Sequence, residues 1–236
     1  LRIQRQAEER RIQAEATRLV EGLLTAETEH VKGTIENLKD FKRWADPLLN
    51  DALQFSGEAS NARLHACLAL IADQRECDPR MLEFLHERIL TISLEQMPPV
   101  LELLQPHKAE LSRVCLTTAT DEQQSAQRRL HAACALASFA PGHEIWKDMT
   151  FTKFLTRELV TSNPVFVARY QELLRGVGSH LIDPLTELFK SRAYGELSRT
   201  LATSLLADYA ANAPDRLADL IVAADTVSDR TPFPVL

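Results

Sequence analysis

The chain is poor in glycine, in aromatic rings and in paired cysteines, and each shortage removes a class of molecule. Seven glycines in 236 residues is under half the roughly 7% usual in proteins. Phosphate-cradling loops and tight β-hairpins both depend on Gly, so nucleotide enzymes and all-β folds recede together. The four cysteines, Cys67, Cys77, Cys115 and Cys134, form no Cys-x-x-Cys pair and no dense framework of the kind that staples small secreted domains. Free thiols packed in a helical core are the simpler reading. The longest apolar run covers residues 66–72 and is closed by Asp73, whereas spanning a bilayer needs roughly 20. Positive charge is short as well. The balance of 27 Lys and Arg against 33 Asp and Glu gives −6, which offers a nucleic acid polyanion no general attraction. Three Tyr and two Trp make a poor base-stacking platform.

What the chain does have is an internal repeat. The segment Ala62-Arg-Leu-His-Ala-Cys-Leu-Ala-Leu70 returns 66 residues later as Arg128-Arg-Leu-His-Ala-Ala-Cys-Ala-Leu136. It returns again after a further 70, where Arg129, Ala132, Leu136, Ala137, Phe139 and Ala140 fall on Arg199, Ala202, Leu206, Ala207, Tyr209 and Ala210. A second strip keeps the same offsets: Leu24-Thr25, Leu90-Thr91 and Val160-Thr161, with Glu36 and Leu38 matched by Glu102 and Leu104, then Glu172 and Leu174. Two strips sharing two offsets define one unit. Its copies run at about 12–74, 79–140 and 146–212, and a partial copy at 214–226 opens with Pro214, Leu217 and Leu220.

Apolar residues inside each copy recur at three and four, as in Met81, Leu82, Leu85, Ile89 and Leu90, which predicts helical stripes and four helices per copy. The dipeptides Asp46-Pro47, Asp78-Pro79, Asn163-Pro164 and Asp183-Pro184 each read as an N-cap before a Pro at the first helical position. The expected fold is all-α: a right-handed α-solenoid of HEAT/ARM-like helical hairpins, about 13 helices in total. A helical leader occupies 1–14, the array 15–228, and a tail 229–236. Small residues such as Ala132, Ala133, Cys134 and Ala135 allow neighbouring helices to approach closely.

Candidate chemistry is sparse, and each case has a structural counterpart. His65 and His131 share one repeat position and so mark a recurring structural slot better than a proton-transfer pair. Arg63, Arg129 and Arg199 also recur. They form a candidate anion ladder or, more simply, one inter-repeat device per copy. Glu36, Glu102 and Glu172 suit a solvated helix face. No His-Glu-x-x-His or paired-Cys motif offers a metal site, and no cofactor is expected. Arg175-Gly-Val-Gly178 lacks the Lys-Ser/Thr of a P-loop and reads as a helix C-cap. Neither a Gly-x-Ser-x-Gly elbow nor a kinase signature occurs, so no enzyme activity is expected of this chain. Residues 1–18 carry Arg2, Arg5, Arg10, Arg11 and Arg18 beside Glu8 and Glu9, suited to a juxtamembrane or partner-binding helix or to a solvated leader. With no Met before Leu1, the chain reads as a piece of a longer one.

The phrases Arg43-Trp-Ala-Asp-Pro-Leu-Leu49, Ala62-Arg-Leu-His-Ala-Cys-Leu-Ala-Leu70, Gln127-Arg-Arg-Leu-His-Ala-Ala-Cys-Ala-Leu136 and Thr200-Leu-Ala-Thr-Ser-Leu-Leu-Ala-Asp-Tyr-Ala210 resemble the HEAT-like helical region of large bacterial multidomain proteins. Those proteins carry a serine/threonine protein kinase domain, a transmembrane helix, the helical array and, in many members, a formylglycine-generating (sulfatase-modifying) domain. The resemblance covers about residues 15–225. It implies that Leu1 follows a membrane span of the parent protein, and it transfers no catalytic residue. The expected function is a noncatalytic scaffold whose concave face holds a protein or peptide. The alternative is a segment of a transmembrane kinase or formylglycine-generating protein whose catalytic domains lie outside this chain. Self-association through the open C-terminal copy, at Leu217, Leu220 and Ile221, is a further expectation.

Overall fold

A computed structural model describes residues 2–57, 60–72, 74, 78–191 and 193–211, the side chains from residue 4 onward. Among them all regular structure is helical. The chain packs as two compact units, Leu1–Cys115 and Leu116–Leu236. The partial fourth copy, with Leu217, Leu220 and Ile221, lies outside the described residues, as do the thirteenth expected helix, the tail and Cys77.

The first unit holds α1 (Arg2–Thr25), α2 (Val31–Leu38), α3 (Lys42–Phe55), α4 (Asn61–Ile71), α5 (Pro79–Ile89), α6 (Met97–Leu103) and most of α7 (Lys108–Thr120). Residues 4–11 of α1 are exposed, and burial starts at Ala16, Val20 and Leu23, a three-to-four spacing that turns one stripe inward. From there α1 packs on α2, α3 and α4. The second unit holds the end of α7, then α8 (Ala126–Phe139), α9 (Met149–Thr161), α10 (Pro164–Leu173), α11 (Gly178–Lys190) and α12 (Glu196–Tyr209). Here α9 takes the part of α1 and packs on α10, α11 and α12.

Element boundaries keep the sequence offsets. Short 3-10 turns begin at Lys39, Gln105 and Arg175, and the helices after them at Lys42, Lys108 and Gly178. Buried positions keep them too: Leu23, Ile89 and Leu159 are fully buried, as are Ala66, Ala132 and Ala202. The recurring Thr25, Thr91 and Thr161 each donate from the hydroxyl to the carbonyl four residues back, at 2.9, 3.1 and 2.8 Å, closing the first helix of each copy. The four residues that lengthen the second offset fall between α8 and α9, where a four-residue 3-10 turn, Glu144–Lys147, is inserted. Its Trp146 is buried, donates from Nε1 to the Ala140 carbonyl at 3.0 Å and tilts against Phe151.

Side-chain capping explains where several of the helices start. Ser60, Asp78, Ser125, Asp148 and Asn163 each accept a backbone N–H of the first turn at the heads of α4, α5, α8, α9 and α10, which satisfies otherwise orphaned donors. The expectation for Asx-Pro thus holds at Asp78-Pro79 and Asn163-Pro164. It fails at Asp46-Pro47 and Asp183-Pro184, which lie inside α3 and α11. There a 3-10 turn has already started the helix, and Pro47 and Pro184 each remove one intrahelical hydrogen bond. The Arg175-Gly-Val-Gly178 stretch also differs from a glycine C-cap. Arg175–Val177 is a 3-10 turn, Gly178 is the first residue of α11, and no described Gly has positive φ.

Candidate functional site

Gly178 is small because of its neighbour. A Cβ at this position would stand 2.5 and 2.8 Å from Cδ1 and Cγ of Tyr209, so the bare backbone admits the ring. The Tyr209 hydroxyl donates to the Gln171 carbonyl at 3.2 Å, pinning α12 onto the end of α10. Burial pushes the Tyr209 hydroxyl pKa upward, consistent with a phenol that stays neutral.

The repeated arginines sit on aromatic rings. The Arg63 guanidinium carbon lies 4.8 Å from the ring centre of Phe84, and Arg129 lies 3.7 Å from that of Phe154. Phe84 and Phe154 are themselves 70 residues apart, so the contact joins the last helix of one copy to the first helix of the next, α4 to α5 and α8 to α9. Arg129 also donates from Nε to the Ala119 carbonyl at 3.0 Å. Arg199 is half-buried with its Nε turned inward, and the copy that would follow it lies outside the described residues. For Arg63 and Arg129 the contact lies between neighbouring sequence copies, and the aromatic partner is the part that sequence reasoning missed.

The two histidines differ. His65 is fully buried. Its Nδ1 stands 3.0 Å from the Leu23 carbonyl, which only accepts, so Nδ1 carries the proton. Gln96 donates from Nε2 to Thr28 Oγ1 at 3.2 Å, and that hydroxyl donates to His65 Nε2 at 3.3 Å. The imidazole is thereby held neutral, and burial followed by the Arg88 charge depresses its pKa below 6.5, against the Leu23 hydrogen bond, which raises it. His131 instead meets Tyr170 edge-on at 6.1 Å. One repeat position thus carries two local solutions. The carboxylates Glu102 and Glu172 form exposed ion pairs with Lys32 and Arg169, and Glu36 lies on an exposed face. Among the described residues no group of three or more His, Cys, Asp or Glu could hold a metal ion, and no helix is long and apolar enough to cross a membrane. Cys67, Cys115 and Cys134 are buried. Burial raises Cys115 to about 12.

A groove of about 700 Å³ opens in the second unit. It is built where α9 passes the end of α7, the head of α8 and the end of α11. Phe154, Phe151, Tyr194 and Leu188 give it an apolar floor, Met149 and Ile145 line it further, and Arg129, Lys153 and Arg157 bring positive charge. Asp148 is occupied as the α9 N-cap, and Glu187 pairs with Lys153 at 2.6 Å. Arg157 reaches Glu158 at 3.1 Å, outside the lining, and also stands 5.7 Å from the Phe154 ring centre. Two guanidinium groups therefore share one ring. Lys153 and Arg157 escape a search for repeats because their counterparts 70 residues earlier are Glu83 and Glu87. No family model matches the chain, and no curated protein or solved structure matches it.

Proposed function

We propose that this chain is a noncatalytic helical-repeat scaffold, an α-solenoid of HEAT-like hairpins, that mediates protein–protein contacts. The observation that carries the reading is the recurrence of one four-helix pattern at Lys39, Gln105 and Arg175, with buried positions and the Arg–aromatic clasp in the same register. A tandem array of this kind buries its core between neighbours and leaves a long face for partners. The resemblance of its repeat phrases supports placing the array within a larger bacterial signalling protein of the kinase and formylglycine-generating type.

Two measurements test the proposal. Small-angle scattering should give a radius of gyration well above the roughly 18 Å of a compact globule of this length and the profile of an elongated particle. Proximity labelling with the full chain should enrich a small set of proteins over a fusion control. A compact particle, or an absence of enriched proteins together with catalytic turnover removed by one substitution, overturns it.

A further inference from the structure

The groove of the second unit differs in kind from the repeated core beside it. Its floor repeats: Arg129 over Phe154 is the counterpart of Arg63 over Phe84. Its walls do not repeat. Where the second copy has Glu83 and Glu87, the third has Lys153 and Arg157. The clasp that recurs is a packing contact, whereas the two reversed side chains are half-exposed and meet Glu187 and Glu158.

Within the groove the charges are unevenly committed. Lys153 is neutralised by Glu187, Asp148 is turned to the backbone of α9, and the exposed Glu122 is the third carboxylate of the lining. No carboxylate among the described residues pairs with Arg129. Of its five N–H donors, the Nε donor is given to the Ala119 carbonyl, and the guanidinium carbon lies 3.7 Å from the ring centre of Phe154. Arg157 stands over the same ring and pairs with Glu158, outside the groove. An oriented guanidinium without an acid partner, with a second cation nearby, is suited to a carboxylate approaching in a forked geometry. Beside it lie Phe151, Met149 and Leu188, which suit an apolar side chain next to that carboxylate. The volume, about 700 Å³, lies within the range of sites that enclose a small ligand or a few residues of a peptide.

We propose that this groove docks an acidic peptide segment of a protein partner, a Glu or Asp carboxylate being received by Arg129 and Arg157 while the adjacent apolar residue lies on the Phe154 side of the floor. The proposal rests on the scaffold reading and adds to it the place and the chemistry of one contact.

The test uses the full chain and three probes: a fluorescein-labelled peptide of repeating Glu-Leu-Ser, the same peptide with Gln for Glu, and inorganic phosphate. The Glu peptide is expected to bind saturably and the Gln peptide at least tenfold more weakly. Lys153→Glu with Arg157→Glu, which restores the charges of the second copy at side chains 50% and 54% exposed, should weaken the Glu peptide at least tenfold with the circular dichroism spectrum unchanged. Arg129→Lys, which keeps a cation but loses the fork, should weaken it severalfold. Equal binding of the Glu and Gln peptides, no binding of either, or full binding by the double variant overturns the proposal. So does displacement of the peptide by equimolar phosphate, which would mark a site for small oxyanions. If proximity labelling still enriches the same proteins with the double variant, the groove is excluded and the scaffold reading stands.

Discussion

Arg129 lies 3.7 Å above the ring of Phe154, and the contact joins two consecutive helical copies through one cation and one face of π-electrons. Such contacts contribute about 0.5–2 kcal/mol, more where water is excluded. A double-mutant cycle of Arg129→Met and Phe154→Leu, followed by urea denaturation, should return a coupling within that range. The longer Arg63–Phe84 pair at 4.8 Å should return less. Coupling indistinguishable from zero at both would make the register of these pairs incidental to stability.

Gly178 is the residue where one added methyl group should do most harm. Its Cβ would meet the Tyr209 ring at 2.5 Å, and a ring hydrogen-bonded at its far end cannot swing away without losing that bond. Gly178→Ala should cost about 1–3 kcal/mol, the usual range for overpacking. Gly22→Ala, with nothing within 4 Å in the interior of α1, should stabilise by about 0.5–1 kcal/mol. Thermal melting of the two variants separates them. A Gly178→Ala protein as stable as the parent would mean that α12 shifts freely.

Acid should loosen the first unit through His65. The folded chain holds this imidazole neutral with a pKa depressed below 6.5, while the unfolded chain binds a proton near that value. The stability tied to neutrality is therefore complete above about pH 6.5 and declines as pH falls toward the depressed native value. His65→Asn, which retains a donor for the Leu23 carbonyl, should show a flatter fall in denaturation midpoint between pH 7 and pH 5. Parallel profiles for the two proteins would rule His65 out as the group responsible.

The buried thiols should react slowly. Cys115 has its pKa raised to about 12 by burial, and Cys134 is raised by the same cause, so the nucleophilic thiolate is scarce at neutral pH. Alkylation followed by peptide mass spectrometry should leave Cys67, Cys115 and Cys134 unmodified in the native chain and label them in urea. Rapid native labelling of Cys134 would show that α8 opens far more readily than its packing suggests.

The repeat was legible in the sequence because it is written in matched residues. Arg63 and Arg129, Leu38, Leu104 and Leu174, and the threonines that close first helices all occupy identical slots, and identical slots leave identical letters. The helix starts were half legible. An Asx-Pro pair has the same letters at the head of α5 as in the interior of α3, and only the 3-10 turn before Lys42 decides between them. Phe84 and Phe154 also kept the register, so their partnership with the arginines had a signal that attention to the cations alone passed over. The groove had no such signal. Lys153 and Arg157 differ from their counterparts, and a comparison that rewards agreement ranks them as noise.

The 3-10 turn that carries Trp146 lengthens one junction by four residues and sets Ile145 and Asp148 along the groove. It acts as a shim: the helices on both sides of it keep their sequence pattern. Exchanging this turn together with Lys153 and Arg157 would remake the lining of the groove while the buried Leu155 and Leu159 stay where they are.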